Sequence, residues 1–174
     1  TPEFSNNNNS NYEFAEPPKF QTEQYFYENN ALIELSCDEP DCIIRFTRDG
    51  NIPDEDSELY LSPILLDTTT SIRAITFSDN LYPSPVRTQT FFCNTGHTLP
   101  VLTLTSEPDN FWGWEDGIFL LGPNGDPIYP HFGANFWKDI EIPVHLEYFK
   151  NQELVAKFDV GTKIHGGKAA RSKP

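Results

Sequence analysis

The stretch that most constrains this chain is residues 42–92, where short apolar runs are each stopped by turn chemistry too soon to make a helix. Ile44 and Phe46 alternate with Arg45, and the run ends at Asp49-Gly50, a dipeptide that accepts positive φ and suits a tight reversal. Tyr60 to Leu66 contains Pro63, which removes a backbone donor and fits an edge strand or a strand start. Thr68-Thr69-Thr70 leads into Ile72-Arg73-Ala74-Ile75-Thr76-Phe77, rich in β-branched residues and closed by Ser78-Asp79-Asn80. Val86 to Phe92 then follows two prolines. Four or five strands at this spacing predict an antiparallel sandwich. The pattern gives a fold class and shows no reaction.

The same residues carry a resemblance. Ile44, Phe46, Thr47, Asp49, Gly50, Pro53, Tyr60, Pro63, Ile64, Leu66, Thr69, Thr70, Ile72, Arg73, Ala74, Ser84 and Val86 are similar, in order, to the chitobiase/β-hexosaminidase C-terminal type of module. That resemblance implies a fibronectin-III-like or immunoglobulin-like sandwich that accompanies extracellular catalytic or adhesive domains as an accessory unit.

Twenty-six acids against twelve bases give a net charge of −14, which repels phosphate backbones and anionic lipid and argues against a nucleic-acid partner. No run approaches the roughly 20 apolar residues of a membrane span. The chain opens at Thr1 and contains no Met, as expected of a piece of a longer protein. Residues 1–19, with the Asn-rich tract Asn6 to Asn11 and Glu16-Pro17-Pro18, have too little apolar surface to order themselves and are expected to be a disordered linker. Tyr25-Phe26-Tyr27 and Ala31 to Leu35 are expected as the first two strands of a sandwich over 20–94, with Glu28-Asn29-Asn30 turning between them.

Cys37 and Cys42 flank Asp38-Glu39-Pro40-Asp41 as a four-residue hairpin loop would place them, within disulfide reach, so a Cys37–Cys42 bond is expected. Cys37-x4-Cys42 with Cys93-x3-His97 also has the local spacing of a zinc site. If the strands follow the fibronectin-III order, however, the two halves lie at opposite ends of the sandwich, roughly 20 Å apart. Asp49, Asn51, Asp54 and Asp56 concentrate oxygen ligands as a calcium loop would, without the EF-hand spacing; the plainer reading is a solvated acidic loop. His97, His131, His145 and His165 show no paired spacing and read as lone structural or surface residues. No catalytic residue set, nucleophile elbow or P-loop is present.

Beyond Cys93-Asn94-Thr95-Gly96 aromatics crowd together. Phe111, Trp112, Trp114, Phe119, Tyr129, Phe132, Phe136, Trp137, Tyr148 and Phe149 either form the core of a smaller β-rich C-terminal segment or expose rings, such as Trp112, Trp114 and Trp137, that stack on the sugars of a polysaccharide. Pro100 to Thr105 and Val144 to Phe149 alternate as strands do, and Glu107-Pro108-Asp109-Asn110 turns the chain or starts a helical turn.

The runs HTLPVLTLTSEPDNFW, DGIFLLGP, ANFWKDIEIPVHLEYF and VGTKIHGGKAARSKP resemble the opening of the spore coat protein H (CotH) kinase family of secreted bacterial proteins. That resemblance implies an atypical kinase fold, with ATP and Mg²⁺ as cofactors of a complete parent. The carboxylates that phosphoryl transfer needs would follow Pro174, so no cofactor is expected in residues 95–174, a truncated start of such a region. Gly166-Gly167 with Lys168 and Arg171 could cradle a phosphate, or be a turn in a frayed end. The expectation is therefore a non-catalytic, extracellular accessory module that spaces or stabilises a downstream CotH kinase-like domain; the alternative is a carbohydrate-binding module using exposed aromatics.

Overall fold

The computed structural model of the chain describes residues 13–167. Its first half is a two-layer sandwich. One layer pairs β1 (Lys19–Phe20) with β4 (Leu35–Ser36) and β3 (Ala31–Ile33) with β7 (Ile64–Leu66), both antiparallel. The other is five-stranded, in the order β2 (Phe26–Tyr27), β9 (Arg87–Cys93), β8 (Thr70–Phe77), β5 (Ile43–Thr47) and β6 (Glu58–Leu59). Its neighbours are antiparallel except β2, which lies parallel to β9. The architecture is mainly β and immunoglobulin-like.

Period-two alternation builds the core. Ala31, Ile33, Leu35, Ile64 and Leu66 from one layer bury against Ile44, Phe46, Ile72, Ala74 and Phe91 from the other. The neighbours Leu32, Ile43 and Leu65 point outward and stay exposed. Cys93 joins this core, its thiol donating to the Leu66 carbonyl at 3.7 Å.

Three expectations about connections need correction. Glu28 to Asn30 do not turn a hairpin, because β2 pairs with β9 in one layer and β3 with β7 in the other; the segment crosses between layers. The loop from 37 to 42 crosses likewise, from β4 to β5, yet the disulfide Cys37–Cys42 closes it with a Cα separation of 6.6 Å. Gly50 does take positive φ, 92°, but the return strand β6 starts only at Glu58, so the reversal is a long loop rather than a tight turn. Its shape comes from Asp54, whose Oδ1 accepts from the Asp56 amide and the Ser57 hydroxyl.

The linker expected over 1–19 does not extend over residues 13–19. Ala15 and Pro18 are buried, and the Ala15 amide donates to the Tyr82 carbonyl while Tyr82 donates back to Glu13, each at 2.9 Å. Phe14 packs on Tyr82 at 5.6 Å between ring centroids. A segment too polar to order itself is thus ordered by an isolated bridge to Tyr82. The tract Asn6 to Asn11 lies outside the described residues.

The second half holds an antiparallel sheet of β10 (Val101–Thr105), β11 (Ile142–Lys150) and β12 (Glu153–Thr162), with β11 central. The expected helical turn is α1 (Pro108–Trp112). The strand β12 is an addition to the sequence reading. Asn151 and Gln152 both take left-handed φ, 54° and 66°, the geometry that lets a two-residue connection match strand twist. Between β10 and β11 the chain runs mostly as turns with one 3-10 turn at Asn135–Trp137, and it covers Ile142 and Val144 with Phe111, Ile118 and Phe119.

Candidate functional site

The structure concentrates its unusual chemistry where the three-stranded sheet lies on the outer face of β8 and β9. Every residue of β9 after Arg87 is buried, on both faces. Thr88, Thr90 and Phe92 are covered from the second half of the chain, and the two threonine hydroxyls need partners within the seam. Ser71 and Thr90 share a hydroxyl bond of 2.7 Å, and Thr105 of β10 donates to Ser71 at 3.1 Å.

A carboxylate closes this seam. β2 pairs with β9 only at Phe92 and Cys93, where the amides of Phe92 and Asn94 donate to Tyr25 and Tyr27. The next outward-facing amide on that edge, Thr90, lies past the end of β2. It donates instead to Glu147 Oε2 at 3.0 Å, and the Thr103 hydroxyl donates to the same oxygen at 3.2 Å. Glu147 is fully buried, and its Oε1 has no hydrogen-bond partner. Burial pushes its carboxyl above the usual range, against the pull of the Thr90 and Thr103 bonds and of His145. Tyr25 beside it is also raised, by burial first and then by the Glu147 and Glu23 carboxylates.

Aromatic rings seal the other end of the seam. Phe149 is wedged between Tyr25, Phe26 and Phe92, with centroid distances of 5.2, 5.6 and 5.1 Å, all three contacts edge-on. Phe26 stacks on Phe92 at 4.3 Å. On the strand 142–150 the sequence pattern suggests Val144, Leu146 and Tyr148 inside and His145 and Glu147 outside. The fold buries the Glu147 and Phe149 side against the sandwich. The other face is covered only at its Ile142 end, so that Leu102, Leu104 and Phe158 remain 56%, 42% and 49% exposed. Sequence reasoning missed Glu147, because a Glu on an alternating strand reads as solvated; the one available signal is its place beside Phe149 on the same face.

The sequence-derived candidates fall elsewhere. Trp112 and Trp114 are 61% and 57% exposed, with Trp112 tilted on Phe119 at 5.1 Å. Trp137 is half-buried, its indole donating to the Pro130 carbonyl and its ring against Phe132. The aromatic set thus divides between core, as with Phe136 and Phe149, and surface. Asp49 accepts from the amide and side chain of Asn51, which lowers its pKa through the backbone bond first, while Asp54 is lowered chiefly by Ser57. These carboxylates serve their own turns, and no group of three or more His, Cys, Asp or Glu able to hold a metal occurs among the described residues. The zinc spacing is not assembled either: Cys37 and Cys42 are bonded to each other, and β5 and β9 present their near ends to opposite ends of β8. Gly166 and Gly167 are at the limit of the described residues, and Lys168 and Arg171 lie outside them. No helix among the described residues is long and apolar enough to cross a membrane.

One comparison falls on the first half of the chain. Residues 22–88 match the chitobiase/beta-hexosaminidase C-terminal domain. The match runs from just after β1 to the second residue of β9, so the part of the chain that is similar to this carbohydrate-related accessory type of module is the sandwich. No curated protein matches the chain.

Proposed function

We propose that this chain is a non-catalytic accessory unit of a secreted bacterial protein, in which the chitobiase C-terminal-type sandwich spaces and stabilises a downstream CotH kinase-like domain. The observation that carries this reading is the two-sidedness of the three-stranded sheet. One face is held to the sandwich by Phe149 and Glu147, while the other presents Leu102, Leu104 and Phe158 to solvent. A contiguous apolar face of this kind fits a surface built to be covered by another folded unit. The Cys37–Cys42 disulfide fits an oxidising, extracellular setting. ATP and Mg²⁺ belong, in this reading, to the downstream domain alone.

Two measurements test it. Titration of the chain with ATP and Mg²⁺ should give no binding heat, and micromolar affinity would overturn the non-catalytic assignment. Extending the chain with its native continuation should lower binding of a hydrophobic dye and slow amide exchange at Leu104 and Phe158; unchanged exchange would remove the docking role. The exposure of Trp112 and Trp114 favours a second reading, a carbohydrate-binding module, which predicts retention on insoluble polysaccharide that the double variant W112A/W114A loses.

A further inference from the structure

The seam between sandwich and sheet opens into a cleft of about 610 Å³, within the roughly 300–1,000 Å³ typical of small-molecule sites. Its aliphatic walls come from both halves of the chain, Ile52 and Val86 on one side and Pro143 on the other. Arg73 of β8 and His145 of β11 also line it. Each has a buried nitrogen, Arg73 Nε and His145 Nε2, without a hydrogen-bond partner in the protein. Two such atoms in one cleft call for an explanation, since buried polar groups are as a rule satisfied.

The two nitrogens ask for opposite things. Arg73 is anchored by Nη1 on the Gly50 carbonyl at 2.7 Å, so its Nε–H is a fixed donor. His145 Nδ1 sits 2.7 Å from Asp159 Oδ1. A carboxylate only accepts, so Nδ1 carries a proton, and in the neutral ring Nε2 offers a lone pair. The carboxylates of Glu107, Glu141 and Asp159, which also line the cleft, add acceptors. An anion would satisfy Arg73 but meet the His145 lone pair and three carboxylates. A cation would suit those acceptors and be opposed by the guanidinium. A hydroxyl both donates and accepts, and a ring carrying several on an aliphatic frame matches the walls as well.

We propose that this cleft binds a neutral saccharide, one hydroxyl accepting from Arg73 Nε–H and another donating to His145 Nε2, with the ring's carbon face against Val86 and Pro143. The site is separate from Trp112 and Trp114 and does not rest on the accessory role. It is tested by NMR titration of the ¹⁵N-labelled chain with glucose, N-acetylglucosamine and their β-1,4 dimers, with glucuronate and inorganic phosphate as charged probes. At least one neutral sugar should give saturable shifts at Thr88, Ser106 and the Arg73 Nε–H. The variant V86W, which fills the cleft from its rim, should weaken that binding at least about tenfold, whereas W112A/W114A leaves it unchanged. Should V86W fail to fold, R73K takes its place, keeping the charge and removing the Nε–H donor. The proposal is overturned by any of three results: no saturable shift at about 50 mM of any neutral sugar, where a millimolar site would be filled; tighter binding of glucuronate or phosphate; or affinity that survives V86W or R73K but is lost in W112A/W114A.

Discussion

Replacing Glu147 with Gln should remove a component of the pH dependence of folding that runs against the usual acid denaturation. Both donors to this carboxyl, the Thr90 amide and the Thr103 hydroxyl, converge on Oε2, and Oε1 has none. A proton therefore has a place on Oε1, and Gln reproduces that neutral form with its carbonyl at Oε2. Because burial raises the folded pKa above the unfolded value of about 4.3, the folded state holds more protons than the unfolded state across the window between them. Stability from this group is then complete below the unfolded value and is lost as pH rises through the folded one. Within the window the slope approaches about 1.4 kcal/mol per pH unit. Urea unfolding followed by tryptophan fluorescence at several pH values from 4 to 7 should show the parent chain gaining on E147Q as pH falls. The lowered groups Asp49 and Asp54 act in the opposite sense, losing their contribution as pH falls through their folded values, but they are common to both proteins and cancel in the difference. Parallel pH profiles, or a parent that loses ground to E147Q on acidification, would refute the reasoning.

Other perturbations of the same architecture have definite signs. F149A removes the ring that Tyr25, Phe26 and Phe92 surround and should cost about 3–5 kcal/mol by equilibrium unfolding. G50A places a Cβ at positive φ and 2.6 Å from the Ser106 carbonyl, so it should lower stability by more than the roughly 1–2 kcal/mol of left-handed backbone alone, read as a drop in Tm. Reducing the Cys37–Cys42 bond opens a short loop and should cost about 2 kcal/mol in denaturant midpoints measured with and without reductant. Millimolar calcium should leave Tm unchanged, because Asp49 and Asp54 are engaged by their own turns.

The sandwich was legible because its chemistry is local. Ile44 and Phe46 face inward around Arg45, Pro63 stands just before β7, and Ser78 to Asn80 end β8, each for reasons contained within a few residues. The errors lie where distant partners decide. A break such as Glu28 to Asn30 looks alike whether the chain folds back or crosses to the other layer, and only the parallel pairing of β2 with β9 distinguishes them. Residues 13–19 gain order from Tyr82, far along the chain. Glu147 was invisible as a site because its burial depends on an unpaired amide at Thr90, a feature of strand lengths and not of the strand 142–150. Arg73 and His145 come together only through the packing of two sheets that no local pattern announces.

The parallel pairing of β2 with β9 also sets how the sandwich would bear tension. The chain enters the five-stranded layer along β2 and leaves it along β9, side by side and in the same direction. Pulling the entry backward and the exit forward slides these strands along each other, loading the bonds from Phe92 to Tyr25 and Asn94 to Tyr27 in shear, together and not one by one. Stretched from its two ends, such a unit yields by slipping at β2 while the Phe26 and Phe92 rings, stacked across that join, resist the slide.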